Sequence, residues 1–262
     1  MPEVLKSELA DGLLILTLSR PEKRNALNLT LARALRDATE AAANDPSVRA
    51  VLLTGTQGHF CVGGDVAEMA SSEASAAKER LAGLRERMDT VRQLHDMPKP
   101  TIAAIEGSCA GAGLSLALAC DLRLCAEDAK ITTAFAKIAL SGDFGGSWFL
   151  TQLLGGAKAR ELYLTSPILT GAEAARIGLA TRALPAADLQ GAARQFAATL
   201  AKGPTDALGR MKENIAKAEA GSTLAECLDL EARNHIHCAA SANHREAAAA
   251  FTEKRKPVFN AH

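Results

Sequence analysis

Three short stretches, residues 13–18, 48–54 and 101–105, are apolar at nearly every position and bounded by Gly, Asp or Pro. Runs of this length that do not alternate with polar residues read as buried strands. Between the first two, Leu31, Leu35, Ala38 and Ala42 recur at helical spacing. Asn28 or Thr30 can cap that helix, and Asn44-Asp45-Pro46 stops it. A polar helix is predicted from about Ser71 to His95, ended by Met97-Pro98-Lys99-Pro100 ahead of the third run. Strand and helix alternate, so the chain is α/β. Beyond Gly113 comes a stretch with Leu114, Leu116, Leu118 and Ala119 that is apolar on nearly every face, a fully buried helix. Strands over 121–125 and 130–133 follow, and from about Pro185 the pattern becomes Ala-rich helices broken at Lys202-Gly203-Pro204 and Gly221-Ser222. The expected division is a core over 1–195 and a helical region over 196–262.

With 262 residues, 48% of them hydrophobic, the chain can bury one large core plus an appendage, which excludes disorder, collagen and coiled coil. Thirty basic side chains balance thirty acidic ones, so there is no long-range pull on nucleic acid or anionic membranes. A single Trp and a single Tyr give too few parts for a base-stacking platform. No apolar run reaches the roughly 18 residues of a membrane span, and Met1-Pro2-Glu3-Val4-Leu5-Lys6 lacks a signal-peptide core, so a cytoplasmic location is expected. The six cysteines form no CxxC pair and read as reduced structural thiols; the His235-Ile236-His237 pair has no metal-site spacing, so no metal is expected.

Two glycine-rich turns, residues 58–65 and 107–113, each follow a strand and precede a helix. Small side chains let backbone N–H groups approach a ligand, and at a helix start those donors are unpaired and carry the positive end of the dipole. An oxygen acquiring negative charge suits such a place. Neither turn has the phosphate-binding GxxxxGK[ST] or GxGxxG order. Two donors converging on one oxyanion is what acyl chemistry needs.

Several stretches in order now identify a resemblance: 19–28 (Ser-Arg-Pro-Glu-Lys-Arg-Asn-Ala-Leu-Asn), 60–65, 99–107, 111–113, the helix ending at Cys120-Asp121, 169–179 and the tail 251–259. Together they make the chain similar to the enoyl-CoA hydratase/isomerase, or crotonase, superfamily over nearly its whole length. The resemblance implies a spiral of ββα units with a C-terminal helical region that builds homotrimers, often paired as hexamers. It implies an acyl-CoA thioester as substrate, no bound cofactor, and CoA arriving as part of that substrate. The thioester oxygen is held in the family by two backbone N–H groups, which map onto Gly64 and Ala112. They would stabilise the enolate formed when the α-proton leaves.

The family's hydratases use two glutamates, since adding water moves a proton at each carbon. At the matched positions this chain has Ser115 and Phe135, which disfavours ordinary hydration. One carboxylate remains, Asp143 in Leu140-Ser141-Gly142-Asp143-Phe144-Gly145-Gly146, similar to the glycine-leucine-x-proline-aspartate-x-glycine segment of the isomerase branches, where the acid shuttles a proton between the α and γ carbons. Asp143 is equally a natural turn former or helix cap. Phe135, Phe144, Trp148 and Phe149 could wall the carboxylate from water and raise its basicity. Gly142 stands where the family has Pro, which is expected to loosen the turn.

Substrate or CoA contacts are expected from Arg24, Ala26, Cys61, Val62, Gly63, Asp65, Val66, Phe135 and Trp148, with Asp65 mainly shaping its turn. Ser115 either binds a substrate group or faces a neighbouring helix; Phe251 and Lys254 match tail residues that reach a neighbouring subunit's CoA. The family's aromatic dehalogenases carry a His where this chain has Met88. The reading is an enoyl-CoA isomerase using Asp143, with a hydratase of unusual acid/base set or an inactive acyl-CoA-binding homologue as alternatives.

Overall fold

The computed structural model describes residues 3–71 and 77–260. Strands β1 (Leu5–Ala10) and β2 (Leu13–Leu18) form an antiparallel hairpin through Asp11 and Gly12, both at positive φ, the turn that matches strand twist. From β2 the sheet continues in parallel through β3 (Ala50–Gly55), β4 (Thr101–Ile105), β6 (Leu122–Ala126) and β9 (Arg182–Leu184), in the order β1-β2-β3-β4-β6-β9. Parallel neighbours need crossovers. Helix α1 (Leu29–Asn44) supplies the first, α3 (Ala77–Asp96) the second, and α4 (Ala112–Ala119) lies within the third.

Each element follows from its residues. Asn28 caps α1 by accepting the Leu31 amide at 2.9 Å, and Leu31, Leu35 and Ala42 bury one face. Strand β4 is buried at all five positions and β3 at five of six, which explains their unbroken apolar runs. The polar helix expected from about Ser71 is α3 from Ala77, preceded by the short α2 (Val66–Ser71); residues 72–76 lie outside the described residues.

A second sheet of β5 (Ser108–Ala110), β7 (Lys130–Thr132) and β8 (Leu169–Thr170) runs in the order β5-β7-β8. Cys61 joins it by a bridge to Cys109, with the Cys61 amide donating to Ser108 O at 3.0 Å and the Ala110 amide to Cys61 O at 2.9 Å. The two glycine-rich turns are therefore paired through their backbones. Every residue of α4 is buried.

Helix α5 (Gly146–Thr165) breaks at Gly155, α6 (Gly171–Arg176) follows β8, and then come α7 (Ala186–Ala201), α8 (Thr205–Glu219), α9 (Leu224–Ala239) and α10 (Ala242–Thr252). The 195/196 division falls inside α7, whose Leu189, Ala193, Ala197 and Ala201 are fully buried against the main sheet. Beyond it, α8 packs on α9 and α9 on α10. Lys212 anchors α8 to the sheet by pairing with Asp121 at 2.8 Å. Among the described residues no helix is long and apolar enough to cross a membrane.

Gly113 marks a tight approach between the two turns. A Cβ there would stand 2.4 Å from Cys61 O and 2.8 Å from Cys61 Cβ. Gly113→Ala is expected to cost about 1–3 kcal/mol of stability through overpacking, read as a lower midpoint in urea titration.

Candidate active site

The first glycine-rich turn is laced to the segment after β2. The Leu27 amide donates to Gly63 O at 2.7 Å, the Asp65 amide to Leu27 O at 2.9 Å and the Val62 amide to Arg24 O at 3.3 Å. Arg20 locks the pair from below, donating to Ala26 O at 2.5 Å and to Asp65 at 3.0 Å. Arg24, Ala26, Cys61, Val62, Gly63, Gly64 and Asp65 are thus brought together. Val66, at the start of α2, is exposed.

Within this group the side chains have separate tasks. Burial pushes Asp65 toward the neutral acid, but the Arg20 guanidinium, the Glu68 amide and the Lys23 charge together hold the carboxyl below the usual range. Asp65 is spent on Arg20 and on the Glu68 amide at the start of α2. Cys61 is fully buried, its thiol pushed up to about 12 by that burial, and its Sγ accepts the Gly63 amide at 3.4 Å. A thiol of that kind is inert and shapes the loop. Arg24 is exposed and free to meet an anion.

Gly63, at φ +98°, faces the start of α4. A Cβ on it would be 2.9 Å from Ala110 O and 3.5 Å from the Ala112 amide nitrogen, so only glycine lets the 63–64 peptide come so close. Ala112 is the first residue of α4 and has no intrahelical acceptor for its N–H. Neither that N–H nor the Gly64 N–H has an acceptor among the described residues. Two unspent backbone donors, one of them at a helix start, can hold an oxygen bearing negative charge where they converge.

The Asp143 backbone lies beside α4 at Ser115. Ser115, three residues after Ala112, donates its Oγ to Asp143 O at 3.1 Å, and the Gly146 amide donates to the same carbonyl at 3.2 Å. Ser115 is 1% exposed, faces this neighbouring segment and holds the Asp143 backbone with its hydroxyl. Gly142 sits at φ +109°, which proline with φ near −65° cannot adopt, and a Cβ there would be 2.8 Å from Tyr163 Cε1.

The Asp143 carboxyl stands in an apolar setting. Burial raises it to about 6 against the opposing pull of the Arg87 guanidinium, and its buried Oδ1 has no hydrogen-bond partner among the described residues. Phe135 is buried against Gly111 and stacks on Tyr163 at 5.8 Å, while Phe144 and Phe149 are buried beside the turn. Trp148 is 42% exposed and meets His95 edge-on at 5.2 Å, at the rim. Phe251 is 88% exposed on α10, and Lys254 after it is exposed.

The raised carboxyl has a stability consequence. An acid whose folded-state pKa lies above its unfolded value stabilises the fold below the unfolded pKa and loses that contribution as pH rises through the folded pKa. Asp143→Asn is therefore expected to melt above the native chain at pH 8, with the difference vanishing below about pH 4, where the native Asp143 is also neutral. Equal melting temperatures at pH 8 would contradict the burial of the charge.

Three residues in this arrangement escape a sequence reading. Tyr163 looks like one more apolar helix position, although it is the chain's single tyrosine; Arg87 looks like a solvated charge on a polar helix. Arg20 lies in the matched stretch but shows its partner Asp65 only in space. No group of three or more metal-ligating side chains occurs among the described residues. A surface concavity of about 670 Å³ between α1 and α3 is lined by none of the site residues, and its Arg36, Glu86, Asp89 and Arg92 pair among themselves.

Similar proteins place this geometry in a family. A "Probable enoyl-CoA hydratase" of Rhodobacter capsulatus is 37% identical over 256 residues, covering 97% of each chain. The 1,2-epoxyphenylacetyl-CoA isomerase of Escherichia coli is 36% identical over 261 residues, covering 99% of each. The crystal structure of an enoyl-CoA hydratase from Polaromonas sp. JS666 superposes with a TM-score of 0.92 at 34% identity, covering 98% of this chain and 99% of that one, so the α/β architecture is the crotonase-like one. The family model for enoyl-CoA hydratase/isomerase matches residues 8–262. Sequence from end to end and fold in three dimensions agree, and the chain belongs to the enoyl-CoA hydratase/isomerase family.

Proposed function

We propose that this protein is an enoyl-CoA double-bond isomerase in which Asp143 is the sole acid/base. The observation that carries the reading is the Asp143 carboxyl, buried without a partner for Oδ1 and raised to about 6, on a turn whose backbone is held by Ser115 of the helix that begins at Ala112. The thioester oxygen is received by the Gly64 and Ala112 N–H groups. As Asp143 takes the α-proton, the electron pair moves to that oxygen and the donors gain most when it is an enolate. The protonated Asp143 then returns the proton at the γ-carbon and the double bond moves into conjugation. One carboxylate completes the cycle.

Hydration needs a second group to activate water, and the two positions that carry glutamates in hydratases hold Ser115, occupied by Asp143 O, and Phe135, occupied by Tyr163. That favours isomerisation, although the Rhodobacter capsulatus relative bears a hydratase name. Arg24 is placed for a CoA phosphate. The homotrimer or hexamer reading is supported by Met211, Ile215, Leu228 and Ile236, exposed on α8 and α9, and in it Phe251 and Lys254 reach a neighbour's CoA.

The test is incubation of 2-enoyl-, 3-enoyl- and aromatic acyl-CoAs in heavy water with mass spectrometry. Deuterium at the α and γ carbons, at a rate rising with pH through about 6, is the expected result. Conversion of a 2-enoyl-CoA to its 3-hydroxy product makes the protein a hydratase; binding with no exchange makes it an inactive homologue.

A further inference from the structure

The turn that carries Asp143 is wrapped around a phenol. A Cβ on Gly142 would lie 2.8 Å from Tyr163 Cε1 and 3.1 Å from its Oη, and one on Gly146 would lie 2.7 Å from the same Oη. The two glycines are what admit the ring. On its other side the ring stacks on Phe135 with planes 18° apart, and Phe135 in turn lies against Gly111, next to the Ala112 N–H. A continuous line of contact therefore joins the donor at 112 to the carboxylate turn, with Tyr163 as its last member.

The surroundings of Asp143 define what Tyr163 does there. Burial raises the phenol to about 12 and the Asp143 charge adds to the rise, with the Ser147 hydroxyl pulling the other way, so Tyr163 remains neutral at working pH. From α3 the charged group facing Asp143 is Arg87, while His95 of the same helix is turned to Trp148 and Phe149. From α4 comes the Ser115 hydroxyl, spent on the Asp143 backbone. Nothing among the described residues donates to Oδ1. Tyr163 fills the inside of the turn and donates nothing to Oδ1.

We propose that Tyr163 is the positioning residue of Asp143: its ring fills the inside of the 142–146 turn, fixes the direction of the carboxyl and keeps water from it. The proposal rests on the acid/base reading of Asp143. Removing the ring admits water, which lets the carboxyl ionise more easily and act as a weaker base. It also leaves the turn free to shift.

The experiment measures deuterium exchange into 3-hexenoyl-CoA against pH for Tyr163→Ala, Tyr163→Leu, Tyr163→Phe and Asp143→Asn in the full chain. Tyr163→Ala is expected to lower kcat about tenfold to a hundredfold, because a small misplacement of a reacting group is costly. Its acid limb should move down by about one unit or more toward the ordinary carboxylate value. KM should stay within about threefold, since acyl-CoA contacts are untouched. Tyr163→Leu, which keeps apolar bulk for folding but leaves the glycines uncovered, should shift the limb in the same direction. Tyr163→Phe should restore the limb and the larger part of the rate. A merely structural role would lower the fraction of active enzyme and leave the limb in place, and that result overturns the proposal. Asp143→Asn at native turnover removes the acid/base reading and this proposal together, whereas an inactive Asp143→Asn beside an unmoved Tyr163→Ala limb overturns the role of Tyr163 alone.

Discussion

Asp143→Asn is expected to exchange and isomerise a 3-enoyl-CoA about a thousandfold more slowly than the native chain, within the range that a positioned acid/base contributes. The amide has nearly the shape of the carboxyl it replaces, so the turn held by Ser115 and Gly146 stays in place. What is lost is the lone pair able to take a proton. Acyl-CoA affinity should change by less than about threefold, because the donors at 64 and 112 and the apolar wall meet the ground state unchanged. Stopped exchange with retained binding, in equilibrium titration of an acyl-CoA, is the expected pair of results. Turnover within about tenfold of native would place the proton transfer on another group.

Ala112→Pro is the second large effect. Proline is well accepted at the first position of a helix, since its missing N–H has no partner there and its fixed φ suits the turn. Ala112 occupies that position in α4, so the substitution removes one proposed oxyanion donor while leaving the helix intact. Losing one such donor costs about 3 kcal/mol in the transition state, which is a fall in kcat of about 10²–10³. The ring also projects toward the site, so some loss of affinity accompanies it. Ala112→Gly keeps the N–H and should lose far less, so the comparison separates donor from side chain. A small effect of Ala112→Pro on kcat, with folding verified by circular dichroism, would place the thioester oxygen elsewhere.

The parts of the fold legible in the sequence were those whose burial is uniform. Strands β2, β3 and β4 are apolar on both faces because helices and sheet cover both, and the fully buried α4 reads directly as an apolar stretch. Strand β1 escaped the periodicity reading because it is an edge with only Leu5 buried, although the Asp11-Gly12 pair was a hairpin signal. Strand β5 lay hidden inside a glycine-rich turn, since three residues paired mainly through backbone leave little trace in side-chain pattern. The short β8 and β9 escaped for the same reason.

At the site, the residue types and their order determined which chemistry was available: two glycine-rich strand-to-helix turns, no glutamate at 115 or 135, and one aspartate at 143. Those are covalent facts, fixed before folding. Tertiary structure alone decided that Gly63 abuts the Ala112 amide, that Ser115 is spent on the Asp143 backbone, and that Gly142 is required by the ring of Tyr163. It also decided the basicity of Asp143, because an acid's pKa is set by the water and charges around it, and Phe149 and Tyr163, which pack against the turn that carries it, lie 6 and 20 positions away along the chain.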